Sequence, residues 1–238
     1  MEMSLRYQLV LLDAGFTLLH ARRPMVQSVA EALAGFGHTP SETELRQAYA
    51  TAERWFWQHY HQPGNTTWTH DETIRATWTA YHSVMLTDLG LAAQPALIES
   101  MFSAHFHAHN WQLYPDVLAA LDELAALPIQ LGIVSDWSSH LPKIIDALGI
   151  GEYFAFLLAS GAVGLAKPDP RFYQRALELG GVPASAALMV GDSYHGDVGG
   201  ARAAGIDALL LDRNASSAHT DVPVIRSLHE IIEFVRAS

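Results

Sequence analysis

Tyr7-Gln8-Leu9-Val10-Leu11-Leu12-Asp13-Ala14-Gly15-Phe16-Thr17-Leu18 is the stretch whose reading decides the fold. A short, nearly unbroken apolar run stops at a carboxylate and a small-residue turn, the pattern of a buried strand that ends in a loop. The pattern returns far downstream. Ala186-Ala187-Leu188-Met189-Val190 leads into Gly191-Asp192-Ser193-Tyr194-His195-Gly196-Asp197. In an α/β chain, two carboxylate-tipped strands can meet at one edge of a parallel sheet, and that edge is where such folds bind ligands.

The rest of the chain supports this frame. Beyond Pro115, helical and strand patterns alternate: helix at 116–127, strand at 129–134, helix at 141–148, strand at 154–158, helix at 170–180, strand at 187–191, helix at 197–204, strand at 207–211 and helix at 228–236. Alternation of this kind predicts an α/β fold, a doubly wound parallel sheet with helices on both faces. Between the first strand and this region the texture is helical, with helices predicted at 24–36, 41–61, 71–89 and 95–108. Ser41-Glu42-Thr43-Glu44 reads as a capping box at the start of the second. The predicted division is a core of 1–19 plus 111–238 and an all-helical insertion of 20–110.

Composition narrows the function. Half of the 238 residues are apolar, which predicts a globular chain. Net charge is −11 with only 14 Lys and Arg and no basic run, which argues against a nucleic-acid partner. An acidic protein needs local positive charge to hold an anion, and a divalent metal can supply it. Cysteine is absent, so disulfides and thiolate metal sites are excluded. The N-terminus lacks a leader pattern and no run reaches the ~20 apolar residues of a membrane span. The expectation is a cytoplasmic protein with no membrane partner, a monomer or a homodimer.

Four pieces fall at predicted strand ends: Asp13 with Thr17, Ser135-Asp136, Lys167-Pro168-Asp169-Pro170, and Gly191-Asp192 with Asp197. In this order they resemble the four motifs of the haloacid dehalogenase (HAD) superfamily, across essentially the whole core. The insertion resembles the small α-helical cap of the subfamily that holds many small-molecule phosphatases. The resemblance implies a Rossmann-like core and Mg²⁺-dependent hydrolysis of a small phosphorylated metabolite through an aspartyl-phosphate. Asp13 would be the nucleophile. Asp13, the Gly15 carbonyl, Asp192 and Asp197 would hold Mg²⁺, a hard cation that takes oxygen ligands. Thr17 and Ser135 would donate to phosphoryl oxygens, with Asp136 beside them. Lys167 would supply fixed positive charge. Arg22 could bind a second anionic group.

One residue departs from the family pattern. Phosphatases of the superfamily carry a second aspartate two residues after the nucleophile, where this chain has Gly15. General acid–base help is typically worth about 10²–10⁴ in rate. The expectation is a slower or choosier enzyme that favours good leaving groups, improved by Gly15→Asp if the missing acid is its sole defect. The insertion holds Trp55, Phe56, Trp57, Trp68, Trp78 and Tyr81; some must be helix-packing core, the default for aromatics at helical spacing, and a few could line a pocket that would favour an aromatic or apolar leaving group. The alternatives are a catalytically silent relative that binds phosphate and metal, and a metal-independent 2-haloacid dehalogenase. Against the latter, Asp192 and Asp197 would repel each other and Asp13 without a cation.

Overall fold

The computed structural model describes residues 5–60, 62 and 64–236, with the side chains of 104–106 also left aside. Met1 to Ser4, part of the N-terminal reading above, lie outside the described residues.

A six-stranded sheet forms the centre. Its strands are β1 (Leu9–Leu12), β4 (Gln130–Ser135), β5 (Phe156–Ala159), β6 (Ala187–Gly191), β7 (Asp207–Leu211) and β8 (Val224–Ile225), in spatial order β5-β4-β1-β6-β7-β8. Every neighbouring pair is parallel. The topology reverses direction at β1, which lies between β4 and β6. Side chains of a strand point alternately to opposite faces. Val10 and Leu12 therefore enter one apolar layer with α5 (Val117–Ala125), α6 (Leu141–Ala147) and α10 (Ile231–Val235). Leu9 and Leu11 enter the other, with α8 (Pro170–Gly180) and α9 (Gly200–Ala203). The short α7 (Ser160–Val163) follows β5 directly. The predicted doubly wound sheet is what forms.

Four helices separate β1 from the rest of the sheet in sequence: α1 (Met25–Gly35), α2 (Glu42–Tyr60), α3 (Asp71–Asp88) and α4 (Pro95–Phe106). They bury their own apolar cluster, with Leu33, Phe56, Tyr81, Met85 and Met101 at its centre. The Ser41–Glu44 capping box is present: Glu44 Oε2 accepts from the Ser41 amide at 2.8 Å, and the Glu44 amide donates to Ser41 Oγ at 3.3 Å. A two-stranded antiparallel ribbon, β2 (Leu19–Ala21) and β3 (Trp111–Leu113), ties the entry and exit of this helical block together. β2 spans the first predicted boundary and β3 begins at the second. Both strands are too short to show a period of their own in sequence.

Two predicted helices take a different form. The segment predicted at 197–204 opens as a wide helical turn over Tyr194–Gly199 before α9. Here Asp197 turns back to accept from the Ser193 amide at 2.9 Å, which pulls the chain out of regular geometry. The C-terminal helix begins as a tight turn at Leu228–Glu230, capped by Ser227, and becomes α-helical only at Ile231.

Candidate active site

The carboxyl ends of β1, β4 and β6 converge beneath the helical block, and a cavity of about 450 Å³ lies between them. Asp13 follows the last residue of β1 and is only 6% exposed. Its amide donates to the Val190 carbonyl at 3.0 Å, which extends the pairing with β6 one residue past the strand and fixes where the carboxylate stands. Asp13 Oδ1 accepts from Ser135 Oγ at 3.0 Å and from Lys167 Nζ at 2.5 Å. The same ammonium donates to Asp197 Oδ1 at 2.5 Å. Burial alone would lower the Lys167 pKa, but Asp13 and Asp197 outweigh it and hold the amine well above its ordinary value.

Asp13, Asp192 and Asp197 each bring a carboxylate oxygen within 4.8 Å of the others. Asp197 reaches this place only because Gly191 has no side chain: a Cβ there would meet Asp197 Oδ2 at 2.1 Å. Asp192 Oδ1 lies 3.5 Å from the Thr17 hydroxyl. Asp192 is the exposed member of the three, yet the loss of solvation among the surrounding protein atoms, followed by the charges of Asp13 and Asp197, pushes it above the usual carboxylate range. Asp197 is also pushed up, first by burial, while Lys167 pulls it back and Asp13 adds to the rise. Three hard oxygen donors with excess negative charge suit a divalent cation of the Mg²⁺ type.

Asp136 accepts from the Lys167 amide at 2.9 Å and lies 3.4 Å from the Tyr60 hydroxyl. Burial raises its pKa to about 7 against the pull of Lys167, with Asp13 and Asp197 adding to the rise.

The structure thus brings Asp13, Gly15, Ser135, Asp136, Lys167, Asp192 and Asp197 to one cavity. Thr17 and Arg22, the other two residues expected at the site, do not line that cavity. Thr17 is fully buried, and its hydroxyl is directed at Asp192 Oδ1. Arg22 is exposed at the end of the ribbon, where its Nε donates to the Trp111 carbonyl at 3.0 Å, and it does not line the cavity. A hydroxyl or guanidinium close in sequence to a nucleophile need not share its side of the turn.

Gly15 has a structural partner that the sequence did not disclose. A Cβ on Gly15 would stand 3.0 Å from Cζ3 of Trp137, whose indole is 7% exposed and packs edge-to-face on Trp111 at 4.8 Å between centroids. The space beside the nucleophile is filled by an indole. No motif marks Arg213, which donates to the Thr17 carbonyl at 2.8 Å and pairs with Asp116 at 3.0 Å. It anchors the loop that follows Asp13. Glu53, on the cavity wall contributed by α2, likewise carries no motif signal, unlike the aromatic run beside it.

The sequence profile of the haloacid dehalogenase-like hydrolases matches residues 7–205. The chain therefore belongs to that hydrolase family. It is 30% identical over 216 residues to the human haloacid dehalogenase-like hydrolase domain-containing protein 3, across 89% of this chain and 84% of that protein. It is 39% identical over 106 residues to a phosphoserine phosphatase of Thermus thermophilus, across 44% of this chain and 42% of that protein. Among solved structures, the magnesium-bound HAD-hydrolase YfnB of Bacillus subtilis superposes with a TM-score of 0.78, at 22% identity, over 98% of this chain and 100% of that one. The last likeness concerns the fold. Among the described residues, no helix is long and apolar enough to cross a membrane.

Proposed function

We propose that this hydrolase is a Mg²⁺-dependent phosphomonoesterase that works through an aspartyl-phosphate on Asp13. The observation that carries the reading is the convergence of Asp13, Asp192 and Asp197, with Lys167 bridging the first and last. Asp13, Asp192 and Asp197 would hold the cation, with the Gly15 carbonyl beside them, and a bound cation supplies positive charge against the phosphoryl oxygens.

The chain's own groups do the rest. Asp13 attacks phosphorus with a carboxylate oxygen, and the bond from phosphorus to the leaving oxygen breaks. Water then hydrolyses the acyl phosphate and frees Asp13 and phosphate. Lys167 orients the nucleophile and offsets charge that grows in the transition state. Ser135 fixes the Asp13 rotamer through its hydrogen bond. Gly15 offers no proton to the leaving oxygen, so substrates with weakly basic leaving groups suffer least. The helical block acts as a cap that shields the reaction from water and selects the leaving group. Phosphatase names among the relatives agree with this reading.

The test is hydrolysis of 4-nitrophenyl phosphate with and without Mg²⁺ by the wild type and Asp13→Asn. The expected result is Mg²⁺-dependent turnover that falls by at least about 10³-fold in the variant. Equal turnover by both proteins removes the mechanism. Chloride release from 2-chloropropionate without metal would point to dehalogenation instead.

A further inference from the structure

The cavity is sharply divided. Among its described lining residues, Lys167 is the only basic side chain, and it is already shared by Asp13 and Asp197. At the helical end the described lining residues carry a single charge, Glu53 of α2. Phe56, Trp57 and Tyr60 follow Glu53 at three, four and seven residues, so all four stand on one helix face. Trp78 of α3 joins this wall, with its ring centroid 6.0 Å from that of Phe56.

The bonding of Glu53 is unusual for a carboxylate. Its Oε1 accepts from the Tyr81 hydroxyl at 2.8 Å and its Oε2 from Trp57 Nε1 at 3.0 Å. Both donors are neutral, and no ion pair reaches it among the described residues. These two bonds fix the carboxylate in place and leave lone pairs on both oxygens. A fixed anion amid aromatic faces is the chemistry that recognises an ammonium ion, by charge attraction and by the negative faces of the rings. The same wall repels a second phosphate or carboxylate and offers few partners to a polyhydroxylated sugar.

We infer that the helical end of the cavity binds an ammonium group, so that the substrate class is a phosphomonoester whose leaving alcohol carries a cationic, and best a quaternary, nitrogen. The part about phosphate rests on the phosphomonoesterase reading; the ammonium site does not. The two ends are then complementary to a zwitterion. A nearby cationic nitrogen also makes the departing alkoxide less basic, which partly offsets the missing proton donor at Gly15.

The experiment separates the two claims. Choline chloride, which has no phosphate, is titrated into the Mg²⁺-free protein at constant ionic strength, and tryptophan fluorescence is read. The neutral isostere 3,3-dimethylbutanol is titrated in parallel. The expected result is a saturable change with choline, at least about tenfold weaker with the isostere and in Glu53→Gln. A Gln oxygen still accepts from Tyr81 or Trp57, and the comparison of the two ligands on the wild type needs no variant. Equal binding of both ligands, no saturable change with choline, or unchanged choline affinity in Glu53→Gln overturns the inference. With phosphocholine and 3,3-dimethylbutyl phosphate as substrates, the expected KM is at least about tenfold lower for the first, and a KM no lower than that of the neutral ester also overturns it. Hydrolysis of 4-nitrophenyl phosphate by the same preparation reports on the phosphate end alone, so the two readings fail separately.

Discussion

At the sheet edge, Asp13, Asp192, Asp197 and Lys167 come from segments far apart in sequence and meet through hydrogen bonds and charge; across the cavity, Glu53, Phe56, Trp57 and Tyr60 come from two turns of one helix. The first end depends on strand register. β1 pairs with β4 and β6, and the Asp13 amide adds one more bond to Val190. A slip of one residue would turn Asp13 to the other face. The second end depends on helical periodicity within α2 and on the packing of α2 against α3, which supplies Trp78 and Tyr81. On the proposed function, reaction chemistry is locked to the fold and choice of leaving group rests with α2 and α3.

The largest effect should come from unbalancing the locked end. In Lys167→Met, Asp13 and Asp197 lose their shared counter-charge inside the protein. Removing one partner of a buried ion pair typically costs about 3–5 kcal/mol. Thermal unfolding without metal should show a fall in Tm, and millimolar Mg²⁺ should recover part of it. A variant as stable as the wild type in the absence of Mg²⁺ would mean that the carboxylates do not need Lys167.

That prediction uses residues that were visible in the sequence. Asp13, Asp192 and Asp197 could be read because each ends or closely follows an apolar run, and sheet topology then forces such tips together. Lys167 was legible only as part of an ordered set, since a lone lysine beside proline is by default a loop residue. The role of Trp137 was not legible. It follows the Ser135-Asp136 pair, and nothing in a one-dimensional pattern says that its ring turns toward Gly15. Thr17 was legible as a hydroxyl of the first motif and Arg22 as a cation shortly after it, but the tight turn after β1, with the Phe16 amide bonded to the Leu19 carbonyl at 2.7 Å, that sets where they stand has no one-dimensional signature.

Asp136 sharpens the comparison through pH. Its folded-state pKa of about 7 lies above the ordinary carboxyl value of 3.8. Between those values the folded protein binds a proton that the unfolded chain has released. Its contribution to stability is therefore present below pH 4 and lost as pH rises through 7. Asn at this position keeps an oxygen for the Lys167 amide and has no charge to bury. Asp136→Asn should match the wild type near pH 4 and exceed it above pH 7, by about 2–4 kcal/mol. Tm measured across this range checks it; a constant difference at all pH values would contradict the assignment.

Gly15 marks the border between the two ends. Simple restoration of an acid there is expected to fail, because Trp137 already fills the space. Forcing a side chain into a packed site costs about 1–3 kcal/mol. Gly15→Asp should lower Tm by that measure and leave 4-nitrophenyl phosphate turnover no higher. A gain in turnover at unchanged Tm would show that the indole swings aside.

The smallest effect lies one residue on. Phe16 adopts φ +57°, the left-handed region that suits glycine and disfavours an aromatic residue. Its ring is 54% exposed and makes one edge-to-face contact with Trp111, at 6.2 Å between centroids. The backbone strain is worth about 1–2 kcal/mol, and the partly exposed contact offsets some of it. Phe16→Gly should therefore raise stability by up to about 1 kcal/mol, a Tm gain of about 2–4 °C for a chain of this size. Phe16 lines the cavity, so the same variant also asks which end it serves. If it belongs to the aromatic wall, KM for an aryl phosphate rises while the Mg²⁺ requirement stays constant. If it instead shapes the Asp13 turn, the Mg²⁺ dependence shifts and KM for the aryl group does not.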